Sequence, residues 1–187
     1  MESTVDTTSA ADDLQFSNCD WAVAATFSGD RYQIDNCRFR GNVTVASTAI
    51  QTRFNDCAFG GTFTDNGVNT RRDWINTVST TNNTVTTLTT VAIPTNKTII
   101  LQSTVGGRRT GGSAGTVGDT ASYIITGTYK NIAGTVTLVG ALDVIANEDQ
   151  AAWDGTMAVS GTNVIVTVAG DTNNNVDWYG VTNTTNI

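Results

Sequence analysis

Apolar and polar positions near the start of the chain repeat in one short pattern. A large apolar residue, two polar residues, a cysteine, one polar or small residue and an aromatic residue recur in the segments 16–21, 34–39 and 54–59. A repeat of about twenty residues built from short strands is typical of a parallel β-helix. Cysteine behaves as a small hydrophobe, so we expect a structural ladder of free thiols at Cys19, Cys37 and Cys57.

The residue before each cysteine is Asn or Asp, at Asn18, Asn36 and Asp56. These residue types favour a bend between strands, because their short polar side chains can hydrogen-bond nearby backbone groups. A metal site on the three cysteines is not expected, since a tetrahedral site usually needs four ligands and the chain has no histidine.

From residue 80 onward the pattern changes to short alternating strands separated by Gly, Asn and Asp. Such spacing is typical of a β-sandwich or jelly roll. The candidate strands are 84–92, 98–105, 123–129, 135–145, 156–159, 164–168 and 176–181. We therefore predict an all-β protein in three parts: a lead-in at 1–13, a short parallel β-helical stack of about three turns at 14–79 with Trp74 and Ile75 capping its last turn, and a jelly-roll-like β-sandwich tip at 80–187.

Composition and charge narrow the function. A net charge of −7 does not fit a nucleic-acid partner, because binding to phosphate groups requires clustered basic residues. No apolar run is long enough to cross a bilayer, so neither nucleic acid nor membrane insertion is expected. The absence of histidine excludes Ser-His-Asp and Cys-His catalysis. No cofactor and no metal are expected.

The glycine-rich segment with Arg108 and Arg109 is the most concentrated basic feature. Guanidinium groups grip carboxylate, sulfate or phosphate, which makes this pair a candidate for binding a charged glycan. The alternative, which we favour for this pair, is ion pairing with acidic residues of the sandwich or of a chain interface. The acidic candidates are Asp119, Asp143 and Glu148.

The polar segment 171–177 is the second candidate loop, with Asn173, Asn174 and Asn175 as binding residues. Its oxygen-bearing side chains alternate as in a calcium loop, but Val176 stands where an EF-hand loop has glycine. A polar hairpin turn is the favoured interpretation.

The carboxylates of the repeat region and the aromatic residues of the chain offer two other kinds of chemistry. A glycosidase needs two carboxyl groups, and the repeat region offers Asp20, Asp30, Asp35, Asp56 and Asp65. Solvated turn carboxylates are the favoured interpretation, so we expect no catalytic residues and no enzyme. Five aromatic residues could stack on sugars or fill the sandwich core: Tyr123, Tyr129, Trp153, Trp178 and Tyr179.

The segments GRRTGG (107–112), EDQAAWD (148–154) and VSGTNV (159–164) resemble a C-terminal module of tailed-phage fibre and spike proteins, especially those of cyanophages and similar aquatic phages. The resemblance implies a homotrimeric virion tail appendage with a β-sandwich tip, attached to other virion proteins. From it we expect the distal part of a tail fibre or spike that binds a host-surface glycan or receptor. The alternatives are a purely structural head fibre or capsid decoration protein, and a polysaccharide-degrading tailspike.

Overall fold

The computed structural model describes residues 12–187, apart from the side chains of Trp74 and Ile75. Over this range the protein is all-β, with seventeen strands and no helix. Most of the predicted lead-in and both predicted cap side chains therefore lie outside the described residues. No helix that could span a membrane occurs in the described part of the chain. Contacts divide the chain into one unit of Met1–Asp73 with Thr184–Ile187 and a second unit of Trp74–Asn183.

The first unit is a β-solenoid of three turns, as the repeat predicts. Each turn contributes three short strands, and equivalent strands of successive turns pair in parallel. The first turn holds β1 Gln15–Ser17, β2 Asp20–Trp21 and β3 Ala25–Phe27; the second holds β4 Gln33–Asp35, β5 Arg38–Phe39 and β6 Val43–Val45; the third holds β7 Arg53–Asn55, β8 Ala58–Phe59 and β9 Phe63–Asp65. The next strand, β10 Arg71–Thr80, begins by pairing in parallel with β7.

Apolar residues at equivalent positions of each turn fill the solenoid interior. Phe16, Ile34 and Phe54 are in register through β1, β4 and β7. The rings of Phe39 and Phe59 are stacked, with centroids 5.4 Å apart. The short strands hold this shape because inward positions meet their own equivalents in the next turn, so each turn buries the apolar face of its neighbour.

The three cysteines occupy equivalent positions of successive turns. Asp20 is in register with Arg38, and Arg38 with Ala58, which aligns the cysteine that precedes each of them. Every thiol donates to the carbonyl oxygen two residues before it, at 3.4, 3.3 and 3.3 Å, and all three thiols are free. The residues before them have left-handed backbone conformations that bend the chain: Asn18 (φ 54°), Asn36 (φ 49°) and Asp56 (φ 50°).

Burial raises the pKa of the Cys57 thiol to about 11, from an ordinary 9.0. A raised pKa means that folding favours the protonated thiol, so this contribution to stability is complete below pH 9 and is lost as the pH rises towards 11. We expect the urea midpoint to fall over this range by more in the wild type than in Cys57→Ala, each measured against its own value at pH 8. Equal falls in both proteins would contradict this expectation.

A charged side chain covers the last turn of the solenoid. Arg72 is buried, and its guanidinium carbon lies 4.0 Å and 3.9 Å from the ring centroids of Phe59 and Phe63. Burial lowers the pKa of Arg72 to about 9. Cation–π contacts with both rings compensate part of the desolvation of the guanidinium. The last turn of a repeat stack exposes apolar side chains and strand edges unless other residues pack over them.

The second unit consists of two sheets that share one hydrophobic cluster. One is antiparallel with the order β11-β16-β15, and the other runs β17-β12-β13-β14. The strands are β11 Thr86–Ala92, β12 Lys97–Gly112, β13 Thr120–Ile132, β14 Thr135–Glu148, β15 Asp154–Ser160, β16 Asn163–Ala169 and β17 Asn174–Asn186.

The glycine-rich segment differs from its prediction, because β12 continues through it to Gly112 instead of ending near residue 105. A Cβ at Gly107 would lie 2.4 Å from the buried ring of Trp178. Glycine therefore serves here to let the strand pass under an indole ring, and not to form a turn.

Candidate functional site

An open trough of about 940 Å³ lies on the second unit. It forms where segments of four neighbouring strands come together, with Arg108 opposite Thr120 and Ser122 opposite Asn147. Its lining is polar and charged, apart from small residues and one aromatic ring. The residues that carry chemistry are Arg108, Thr120, Ser122, Asn147, Glu148, Asp149, Asp177 and Tyr179.

The two adjacent arginines face opposite sides of β12. Arg109 is buried; its Nε donates to the carbonyl oxygen of Ala114 (2.8 Å) and to Asn174 Oδ1 (3.1 Å), and its Nη2 donates to the carbonyl oxygen of Gly112 (2.8 Å). Arg108 is exposed in the trough, and its guanidinium makes no hydrogen bond or salt bridge with any described residue. Arg109 thus organises the loop after β12, while Arg108 is available to a ligand. Within the described chain, neither arginine forms a salt bridge with Asp119, Asp143 or Glu148.

Two carboxylates, Asp149 and Asp177, face the trough, whereas the Glu148 side chain lies on the opposite face of β14; each of the three is anchored. Glu148 Oε2 accepts from the hydroxyl of Tyr123, and Asp149 Oδ2 accepts from the backbone N–H of Thr120 at 2.9 Å. Asp177 Oδ1 accepts from the Ser79 hydroxyl at 2.6 Å. Burial and the bond to Glu148 raise the pKa of Tyr123, so the phenol remains the donor. Anchoring one oxygen of each carboxylate orients the other, which is what recognition of sugar hydroxyls requires.

Tyr179 supplies the aromatic ring of the trough. It is 49% exposed, whereas Tyr123, Tyr129, Trp153 and Trp178 belong to the core. Gly106 also lines the trough, and a Cβ placed there would meet no atom within 4 Å. The missing side chain keeps the trough open close to an exposed ring, and such rings stack well on the C–H faces of sugars.

The three asparagines do not form one surface. Asn173 has φ 60° and its backbone N–H donates to Asn82 Oδ1 at 2.8 Å, while Asn174 is fully buried beside Arg109. The carbonyl oxygen of Asn175 accepts from the Thr110 hydroxyl. In the described part of the chain, no three His, Cys, Asp or Glu side chains are grouped to hold a metal ion. The segment serves as a polar turn leading into β17.

The aspartates of the solenoid take part in local contacts. Asp20 pairs with Arg40, and this hydrogen bond lowers the pKa of Asp20. Asp35 accepts from Asn55 Nδ2 at 2.7 Å, and Asp30 accepts from the backbone N–H of Ile50 at 3.1 Å. Asp65 accepts from the backbone N–H of Gly67 at 2.9 Å. The described contacts of these residues stabilise turns of the solenoid.

Sequence reasoning missed Asn147 and Asp149 as site residues. It considered Glu148 only as an ion-pair partner, Asp177 only within the polar segment 171–177, and Tyr179 only as one of five aromatic residues that could stack on sugars or fill the core. A signal was available in the alternation Asp177-x-Tyr179 and Asn147-x-Asp149, since alternate residues of a strand face the same side.

No protein-family model and no curated protein matches this sequence. Solved structures that are similar include the tailspike of Acinetobacter baumannii phage AM24 (7% identity, 94% of this chain and 48% of that chain, TM-score 0.33). A second is the tailspike of Acinetobacter phage vB_ApiP_P1 (10% identity, 95% of this chain and 56% of that chain, TM-score 0.24). A third is the tailspike gp49 of Acinetobacter baumannii bacteriophage Fri1, a capsular polysaccharide depolymerase (13% identity, 92% of this chain and 43% of that chain, TM-score 0.22). The chain spans about half the length of these tailspikes.

These structural neighbours are phage tailspikes, in agreement with the resemblance at that level. These similar structures do not extend the resemblance to aquatic phages or to a β-sandwich tip. The expectation that the chain is not an enzyme is contradicted, because the Fri1 protein is described as a depolymerase.

Proposed function

We propose that this chain is part of a phage tail fibre or tailspike that attaches the virion to a host-surface glycan through the trough of its second unit. The observation that carries the proposal is the chemistry of the trough: a free guanidinium, two anchored carboxylates and an exposed tyrosine around an open floor. Polar groups fixed by a rigid sheet, with an aromatic face beside them, suit a sugar better than an apolar ligand.

The proposed assembly is a homotrimer in the tail appendage, with residues 14–79 as the stack and 80–187 as a β-sandwich tip. A stack of only three turns buries little surface for its size, so association of several copies would stabilise it.

Cleavage of the bound glycan is a second candidate function. It is favoured by the presence of Asp149 and Asp177 in one trough, because glycoside hydrolysis uses a pair of carboxyl groups. Incubation with each polysaccharide that binds, followed by measurement of new reducing ends, tests it. Release that is absent in Asp177→Asn would support cleavage in this trough, and no release from any bound polysaccharide would reject it.

Filling the trough tests the attachment proposal. In Gly106→Leu the new side chain enters open space, so the fold should be kept while the floor of the trough is occupied. We expect binding to immobilised bacterial capsular polysaccharides and lipopolysaccharides to weaken at least tenfold, or about 1.4 kcal/mol. Surface plasmon resonance with the purified protein measures the change.

Thr104→Leu is the matched control, because Thr104 is exposed on the same strand but does not line the trough. It should bind as the wild type does. Unchanged binding by Gly106→Leu, or an equal loss in Thr104→Leu, would place attachment elsewhere.

A further inference from the structure

A second trough, of about 560 Å³, lies on the flank of the solenoid. Three of its lining residues are arginines, three carry side-chain amides, and none of the described residues that line it is acidic. They are Arg31, Arg53, Arg71, Gln33, Gln51 and Asn69, with Tyr32 and Thr185. Such a gathering stands out in a chain that has 17 acidic and 10 basic residues.

Arg53 and Arg71 are directly in register on neighbouring parallel strands. Strand spacing separates their backbones by about 4.8 Å, and like charges placed opposite each other destabilise a sheet. Both side chains are exposed, and neither guanidinium makes a hydrogen bond or a salt bridge with a described residue. Arg31 differs, because its Nε lies 2.6 Å from Asp13 Oδ1. The stacked pair therefore carries two positive charges that no salt bridge neutralises, although the carboxylate of Asp73 interacts electrostatically with Arg71.

The earlier turns show how this ladder is built without charge. Gln15 and Gln33 hold the equivalent positions, and Gln15 Nε2 donates to Gln33 Oε1 at 3.2 Å. An amide ladder thus satisfies itself, whereas the arginines that continue it repel each other. The repulsion between the two stacked arginines is relieved when a bound anion supplies negative charge.

We propose that Arg53 and Arg71 form a binding site for the oxyanion groups, carboxylate or sulfate, of an acidic polysaccharide. Two guanidinium forks one strand spacing apart can hold one oxyanion between them, and charge-assisted hydrogen bonds of this kind are strong. The amides of Gln51 and Asn69 are placed to bond sugar hydroxyls. The site deepens the proposed function, since it rests on a glycan being the ligand, but it lies within the first unit and does not use the trough of the second.

The test measures binding of fluorescently labelled polygalacturonate, dextran sulfate and neutral dextran by anisotropy, at several salt concentrations. We expect the wild type to bind polygalacturonate or dextran sulfate but not dextran. The double variant Arg53→Gln/Arg71→Gln should bind the acidic polymer at least tenfold more weakly and depend less on salt, because two charge contacts are lost. The carboxylate and sulfate arms identify which oxyanion is preferred.

The control Arg38→Gln/Lys130→Gln removes the same charge from two exposed residues outside both troughs. It should bind nearly as the wild type does, and circular dichroism should show that both double variants are folded. Equal weakening in the control, unchanged binding by Arg53→Gln/Arg71→Gln, or no binding of either acidic polymer by the wild type would overturn the inference.

Gly106→Leu separates the two sites. It should leave binding of the acidic polymer unchanged while weakening attachment to the bacterial polysaccharide panel. If Gly106→Leu alone weakens binding of the acidic polymer, the oxyanion site of the first unit is rejected and the trough of the second unit stands.

Discussion

Gly107→Val is expected to lower the free energy of unfolding of the second unit by about 3 kcal/mol, the upper part of the usual range for overpacking. A Cβ at this position would lie 2.4 Å and 2.6 Å from two carbons of the Trp178 ring. That indole is 1% exposed and donates its N–H to the Thr80 hydroxyl at 2.9 Å, so it cannot move aside without losing a buried hydrogen bond. Urea unfolding followed by circular dichroism measures the change.

Gly106→Val is the matched control for Gly107→Val. The two glycines are neighbours on one strand, but a Cβ at Gly106 meets no atom within 4 Å. Valine also favours extended backbone more than glycine does, so this variant should be within about 1 kcal/mol of the wild type. Similar stability of both variants would show that the Trp178 ring does not restrict position 107.

Phe54→Ala is expected to cost the solenoid about 3–5 kcal/mol, the usual range for removing a buried phenylalanine. Phe54 is 1% exposed, and its ring centroid lies 5.4 Å from that of Phe27 and 5.2 Å from that of Phe63. A stack of three turns has few other contacts to replace these. Hydrogen exchange of the amides in β4 and β7 should become much faster, while exchange in the second unit measures any change there separately.

Phe16→Ala is the control for Phe54→Ala, since Phe16 holds the equivalent position in the first turn and is only partly buried. The loss of stability in Phe16→Ala should be clearly smaller than that in Phe54→Ala. Equal effects at both positions would mean that stability does not depend on burial within the stack.

The solenoid could be predicted from the sequence because its information is local. Each turn of about twenty residues repeats the same inward apolar positions, and stacking identical positions sets the register. The bends before Cys19, Cys37 and Cys57 follow from short polar side chains that tolerate a left-handed backbone. The turn residues after position 80 were enough to predict that this part is built of β-strands, but not their length, since β12, β13, β14 and β17 have 13 to 16 residues.

The sites depended on information that the local pattern does not hold. Whether the glycine-rich segment is a loop or a strand is decided by the Trp178 ring above Gly107, and only a strand separates Arg108 from Arg109. The trough gathers segments up to about seventy residues apart, through registers set by the whole sheet. The adjacent positive charges of Arg53 and Arg71 likewise result from the pairing of β10 with β7. The sequence by itself therefore determined the repeat, the bends and the all-β class, whereas tertiary structure decided which side chains face one another, because pairing between distant strands is fixed by packing and not by neighbouring residues.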